Sequence, residues 1–120
     1  MRGEEAVLDL DHAATLLPVL GAARLRALAA LLGENLAELL AAVAGGALES
    51  TIEARVHQLR GGAGTLGMSR LAAALAAIEP AITEGDGAAR VLATGLPGLY
   101  AETVAALERW LGDQAAFSKT

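Results

Sequence analysis

Apolar residues recur along most of this chain at spacings of three and four, the mark of helices that each bury one stripe. The longest such stretch is Ala22–Ala44. There Leu25, Leu28, Leu32, Leu36, Leu39 and Val43 keep the period, and Gly45-Gly46 follow as a stop signal. A shorter helix is predicted before it, over residues 9–20, holding Leu16, Leu17, Val19 and Leu20. Asp9 or Asp11 is placed to cap it, Pro18 to end or bend it, and Gly21 follows. A third stretch begins near residues 48–51 and carries Ile52, Val56, Leu59, Ala63 and Leu66 at steps of four, three, four and three. Gly67 is placed to break it and Ser69 to cap a fourth helix over residues 70–84. That helix turns Leu71, Leu75, Ile78 and Ile82 inward, and Pro80 predicts a kink in it. Gly85-Asp86-Gly87 reads as a turn, with Asp86 as the cap of a fifth segment. The fifth segment is expected to break around Gly95-Leu96-Pro97-Gly98 and to resume through Leu99, Val104, Leu107 and Leu111, with Trp110 near its end. Over residues 112–120 the pattern is lost, which predicts a frayed tail.

Amphipathic helices joined by such short loops favour antiparallel neighbours. The expected fold is all-α: an up-down-up-down antiparallel four-helix bundle over about residues 22–112, with the short N-terminal helix capping one end. At 120 residues the chain suits a single domain, residues 1–120. Aromatic residues make up only 2% of it, so the core must be filled by small aliphatic side chains on closely packed helices.

Composition also removes several function classes. The formal net charge is −5, and no basic cluster or aromatic platform offers itself to nucleic acid. Cysteine is absent, which excludes disulfides, zinc–thiolate centres and cysteine nucleophiles. No apolar run reads as long and uninterrupted enough to span a bilayer, and Met1-Arg2-Gly3-Glu4-Glu5 does not resemble a signal peptide. A cytoplasmic domain with no membrane partner is expected.

Candidate chemistry concentrates in Val56-His57-Gln58-Leu59-Arg60-Gly61-Gly62-Ala63-Gly64-Thr65-Leu66-Gly67. At roughly 100° per residue, His57 points about 140° away from the centre of the apolar stripe, into solvent. Gly61 and Gly64 share that outward face. Glycine weakens a helix interior by up to about 1 kcal/mol relative to alanine, so glycines beside an exposed imidazole suggest that another molecule must come close. A neutral imidazole is a good nucleophile and can take and return a phosphoryl group. Such transfer needs alignment and nearby positive charge more than covalent help from the protein. Arg60, three residues on, lies on the adjoining flank with a guanidinium suited to phosphoryl oxygens. The ring nitrogen facing away from the reaction needs an acceptor to fix the tautomer, and Glu79 on the neighbouring helix is the best candidate by position.

The run His57-Gln58-Leu59-Arg60-Gly61 resembles the His-x-aliphatic-Lys/Arg-Gly signature of histidine-containing phosphotransfer (HPt) domains. The longer string through Gly67 is similar to the phosphotransfer domains of chemotaxis and hybrid sensor histidine kinases. The resemblance covers roughly residues 22–112. It implies a four-helix bundle, phosphorylation of His57 at Nε2, and a glutamate or glutamine twenty-two positions later that hydrogen-bonds the imidazole, which here is Glu79. It also implies a phosphocarrier with no ATP site of its own and no cofactor, the Mg²⁺ being supplied by the partner. That partner is a receiver domain of a response regulator, a histidine kinase, or both. Two departures are visible: arginine at position 60, where most stand-alone members carry lysine, and Pro80 beside Glu79.

For docking, the sequence offers Gly61, Gly64 and Gln58 on the His57 face, with Glu34 and Glu38 on the second helix. His12, the other of two histidines, reads as structural or incidental. The pair lie far apart without ligand spacing, so no metal site is expected. Gly61-Gly62-Ala63-Gly64 lacks the preceding strand and the ending of a nucleotide phosphate loop. A monomer is expected. Two other readings remain open here: a helical interaction module that binds a receiver or kinase without carrying phosphate, and the phosphoacceptor fragment of a larger chemotaxis-type kinase.

Overall fold

The computed structural model describes residues 7–84 and 93–118. Five helices organise them: α1 (Leu10–Leu20), α2 (Ala22–Ala44), α3 (Glu49–Thr65), α4 (Ser69–Glu84) and α5 (Leu96–Ser118). No strand occurs among the described residues. The predicted Gly85-Asp86-Gly87 turn, with its Asp86 cap, falls outside them.

Local chemistry sets most helix ends. Asp9 caps α1, its carboxylate accepting from the His12 N–H at 3.1 Å, while Asp11 lies within the first turn. Pro18 does not end α1, which continues to Leu20. Gly21, at φ +84°, closes α1 by donating to the Leu17 carbonyl and opens α2 by accepting from the Leu25 N–H. A left-handed glycine ends α2 and another ends α3. Gly46 (φ +72°) follows α2, with Ala47 N–H donating to Ala42 O at 3.0 Å. Gly67 (φ +77°) follows α3, with Met68 N–H donating to Ala63 O at 2.8 Å.

Two boundaries differ from the sequence expectation. Helix α4 begins at Ser69 itself, because the Met68 carbonyl accepts from the Ala72 N–H and Met68 takes the capping position. The expected break is present: Ala93 is helical, Thr94 and Gly95 form a turn, and α5 starts at Leu96. The Gly95 carbonyl accepts from the Leu99 N–H, and a proline in the first turn forfeits no intrahelical bond. The same helix runs through Gly112 to Ser118, so loss of the apolar pattern does not end it. Pro80 sits inside α4, which continues to Glu84 without a stop.

Packing follows the stripes. Helix α3 lies most extensively against α4, α2 packs on α3, and α5 meets both α4 and α2, which closes the four long helices into a ring; α1 lies against α2. The enclosed core is almost wholly aliphatic and includes Leu25, Leu32, Leu39, Val56, Leu59, Leu71, Leu75, Ile78, Leu107 and Leu111. Tyr100 of α5 is an exception. Its hydroxyl donates to the Ala29 carbonyl at 2.6 Å, and its ring occupies the space a side chain at Gly33 would need. Arg26 adds a two-pronged contact from Nε to both Glu108 carboxylate oxygens, each at 2.9 Å.

Helix α2 corrects one reading of the sequence. At 23 residues, with mean hydropathy 1.6 over its most apolar window, it is long and apolar enough to cross a membrane by length and composition. Its leucines and alanines make it so, and the few charges spread along it do not break the window. In this fold Leu25, Ala29, Leu32, Leu36 and Leu39 of α2 are buried in the bundle core.

Candidate functional site

Midway along α3, Val56 is fully buried and Leu59 nearly so, and this fixes the helix's rotation. His57, between them in sequence, is therefore exposed, as the spacing of the stripe requires. Gln58 and Arg60 are exposed with it.

The glycines of α3 divide into two uses. A Cβ at Gly61 or Gly64 would meet nothing within 4 Å, so these positions leave bare backbone on the His57 side. A Cβ at Gly62 would lie 3.2 Å from Leu32 Cδ1, so Gly62 faces α2 and permits close packing there. The Thr65 hydroxyl donates to the Gly61 carbonyl at 2.9 Å, holding the last turn of α3 in place.

Arg60 and Glu79 come together across α3 and α4, with Nη1 2.7 Å from Oε1. The sequence brought both residues to His57 separately; their bond to one another was not foreseen. Of the α2 candidates, Glu34 is exposed. Glu38 accepts from Arg55 Nη1 at 3.0 Å, which ties α2 to α3. Gln58 and Leu31 contribute to a groove between α2 and α3, over Leu28, Leu32 and Leu59. No group of three or more potential metal-ligating side chains occurs among the described residues.

An open groove runs beside His57. From α3 it is lined by His57, Arg60, Gly61, Gly64 and Thr65, and from α1 by His12 and Leu16. The sequence reading missed this contribution of α1. His12 Nε2 lies 2.7 Å from the Thr65 carbonyl oxygen, a contact spanning 53 positions, so no local spacing could announce it. The carbonyl can only accept, hence Nε2 carries the hydrogen and donates.

The arrangement offers an accessible ring nitrogen, a guanidinium on the same flank, and a floor without side chains on which another surface can settle. These are the requirements of a transfer reaction completed by a second protein. Among family comparisons, the Hpt domain matches residues 23–111 of the chain. No curated protein and no solved structure matches it.

Proposed function

The chain belongs to the Hpt-domain family, and from that premise we propose that His57 is the residue that carries the phosphoryl group. Hpt domains serve phosphorelays as carriers of phosphoryl groups on histidine. Here the donor or acceptor is an aspartate of a receiver domain, or the ATP site of a histidine kinase. In the inward step the Nε2 lone pair of His57 attacks phosphorus, the bond from phosphorus to the aspartyl oxygen breaks, and the carboxylate leaves with that electron pair. The remaining ring hydrogen stays on Nδ1. The outward step is the reverse.

Each nearby residue has a role in this reading. Arg60 meets the charge that spreads over the equatorial oxygens. Glu79 orients the imidazole and restrains Arg60. Gly61 and Gly64 let the partner's backbone approach, with Gln58, Glu34 and Glu38 on the docking surface. The partner supplies Mg²⁺ and the remaining acid–base groups, and the domain itself uses no cofactor and no ATP site. The four long helices alternate up and down, in keeping with the short connections after Gly45 and Leu66. The protein acts as a cytoplasmic monomer.

The observation that carries this reading is an exposed His57 next to Arg60 above the open backbone of Gly61 and Gly64. Incubation with a phosphorylated receiver, or with a kinase and ATP, is expected to label the wild type and leave His57→Gln unlabelled. Equal label in both proteins overturns it. Binding of a receiver that is indifferent to His57, with no label at all, identifies a non-phosphorylated interaction module instead.

A further inference from the structure

The family match begins at residue 23, yet part of the groove beside His57 is built by residues before it. Helix α1 is fastened to the junction of α3 and α4 at two points. The Asp9 N–H donates to the Gly67 carbonyl at 2.7 Å, and the His12 ring donates to the Thr65 carbonyl at 2.7 Å. The fit is close: a Cβ at Gly67 would lie 3.2 Å from His12 Cδ2 and 3.3 Å from the Asp9 carbonyl oxygen. The Asp9 carboxylate also caps the turn that carries His12. So anchored, the His12 ring and Leu16, one helical turn further on, face His57, Arg60 and the bare backbone of Gly61 and Gly64 across the groove.

We infer that His12 is a positioning residue for phosphotransfer: by holding α1 against the end of α3, it makes α1 one wall of the surface on which the receiver domain docks. This rests on the phosphotransfer reading above and deepens it. The groove lining holds two imidazoles, one guanidinium and one leucine; no carboxylate lines it, and the one that reaches Arg60, from Glu79, comes from α4 behind it. Such a lining suits a partner face that presents an acidic active site, as an aspartyl-phosphate receiver must. A docked receiver therefore touches residues both inside and outside the stretch that the family describes. Loss of the wall is felt in recognition of the partner more than in reactivity of the His57 ring, which stands on α3.

The test compares wild type with His12→Ala and His12→Gln, each checked for helical content and thermal unfolding. Two donors are used: a phosphorylated receiver over a range of concentrations, and phosphoramidate, a small donor that needs no docking surface. His12→Ala is expected to raise the KM for the receiver about fivefold, the effect of one net hydrogen bond, with a smaller change in kcat. Labelling by phosphoramidate should fall less than transfer from the receiver. His12→Gln, whose amide N–H can still reach the Thr65 carbonyl, should recover most of the loss. An unchanged KM in His12→Ala overturns the inference, as does an equal fall with both donors. If neither donor labels the wild type, the phosphotransfer reading itself fails and takes this inference with it.

Discussion

Arg60 on α3 and Glu79 on α4 are bonded to each other, guanidinium Nη1 to carboxylate Oε1, at 2.7 Å. The side chains are 49% and 33% exposed, so solvent screens the pair and it adds less than about 1 kcal/mol to folding stability. Its weight falls on the chemistry. A phosphoryl group on His57 would compete with Glu79 for the one guanidinium on that flank of α3.

Replacing Glu79 with glutamine keeps a hydrogen-bond acceptor but removes the charge that restrains Arg60. Glu79→Gln is therefore expected to unfold within about 1 kcal/mol of wild type. It should also hold a larger share of phosphoryl on His57 at equilibrium with a receiver. Partition of radiolabel between the two proteins measures this. An unchanged or smaller share would show that Glu79 does not restrain the cation.

The two neighbouring glycines of α3 should respond differently to alanine. At Gly61 the added methyl meets open space, so Gly61→Ala gains helix propensity of up to about 1 kcal/mol. At Gly62 the methyl presses on Leu32 Cδ1 in the core, and the gain is offset. Urea unfolding should rank Gly61→Ala above Gly62→Ala in stability. Transfer from a receiver should nevertheless slow in Gly61→Ala, because the methyl stands on the docking floor. A stabilised Gly61→Ala with undiminished transfer would remove that floor from the proposed interface.

Gly33 is matched to Tyr100. A methyl there overlaps the phenol ring and its hydroxyl, which must then release the Ala29 carbonyl. Overpacking of this kind destabilises by about 1–3 kcal/mol, more than the helix-propensity gain of up to about 1. Gly33→Ala should unfold at lower denaturant concentration than wild type, and equal or greater stability would contradict the packing described here.

Tyr100 is the chain's one tyrosine, so near-ultraviolet absorbance follows its ionisation alone. Burial pushes its phenol up from the usual 10.0, the nearby Glu34 charge adds to the rise, and a backbone hydrogen bond at Gly33 opposes them. The folded state thus binds the proton more tightly than the unfolded state. The stabilising contribution is complete below the unfolded value of about 10, and is lost as pH rises through the folded value. A titration midpoint in the folded protein at or below that of the unfolded chain would refute the assignment.

The sequence was most informative where structure is local. Stripe spacing placed the buried faces of α2, α3 and α4, and Gly67 ended α3 through a left-handed turn that glycine alone adopts without strain. The exposure of His57 followed from the burial of Val56 and Leu59. Ambiguity arose where one composition serves two ends: the leucines and alanines of α2 make it long and apolar enough to cross a membrane, while five of its residues lie in the bundle core. Contacts between distant segments stayed hidden. The Arg60–Glu79 and His12–Thr65 bonds, and the pairing of Gly33 with Tyr100, depend on how helices are laid side by side, which no window along the chain contains.

The attachment of α1 bears on how such a unit is to be cut and reused. Leu8 is wholly enclosed and Ala13 nearly so, and both precede residue 23, where homology starts. A graft trimmed to the homologous stretch, for instance to rewire a chimeric sensor, would lose one bank of its own landing place and open an oily scar where those side chains had been. Hybrids that begin upstream of Val7 should outperform those that begin at the homology boundary.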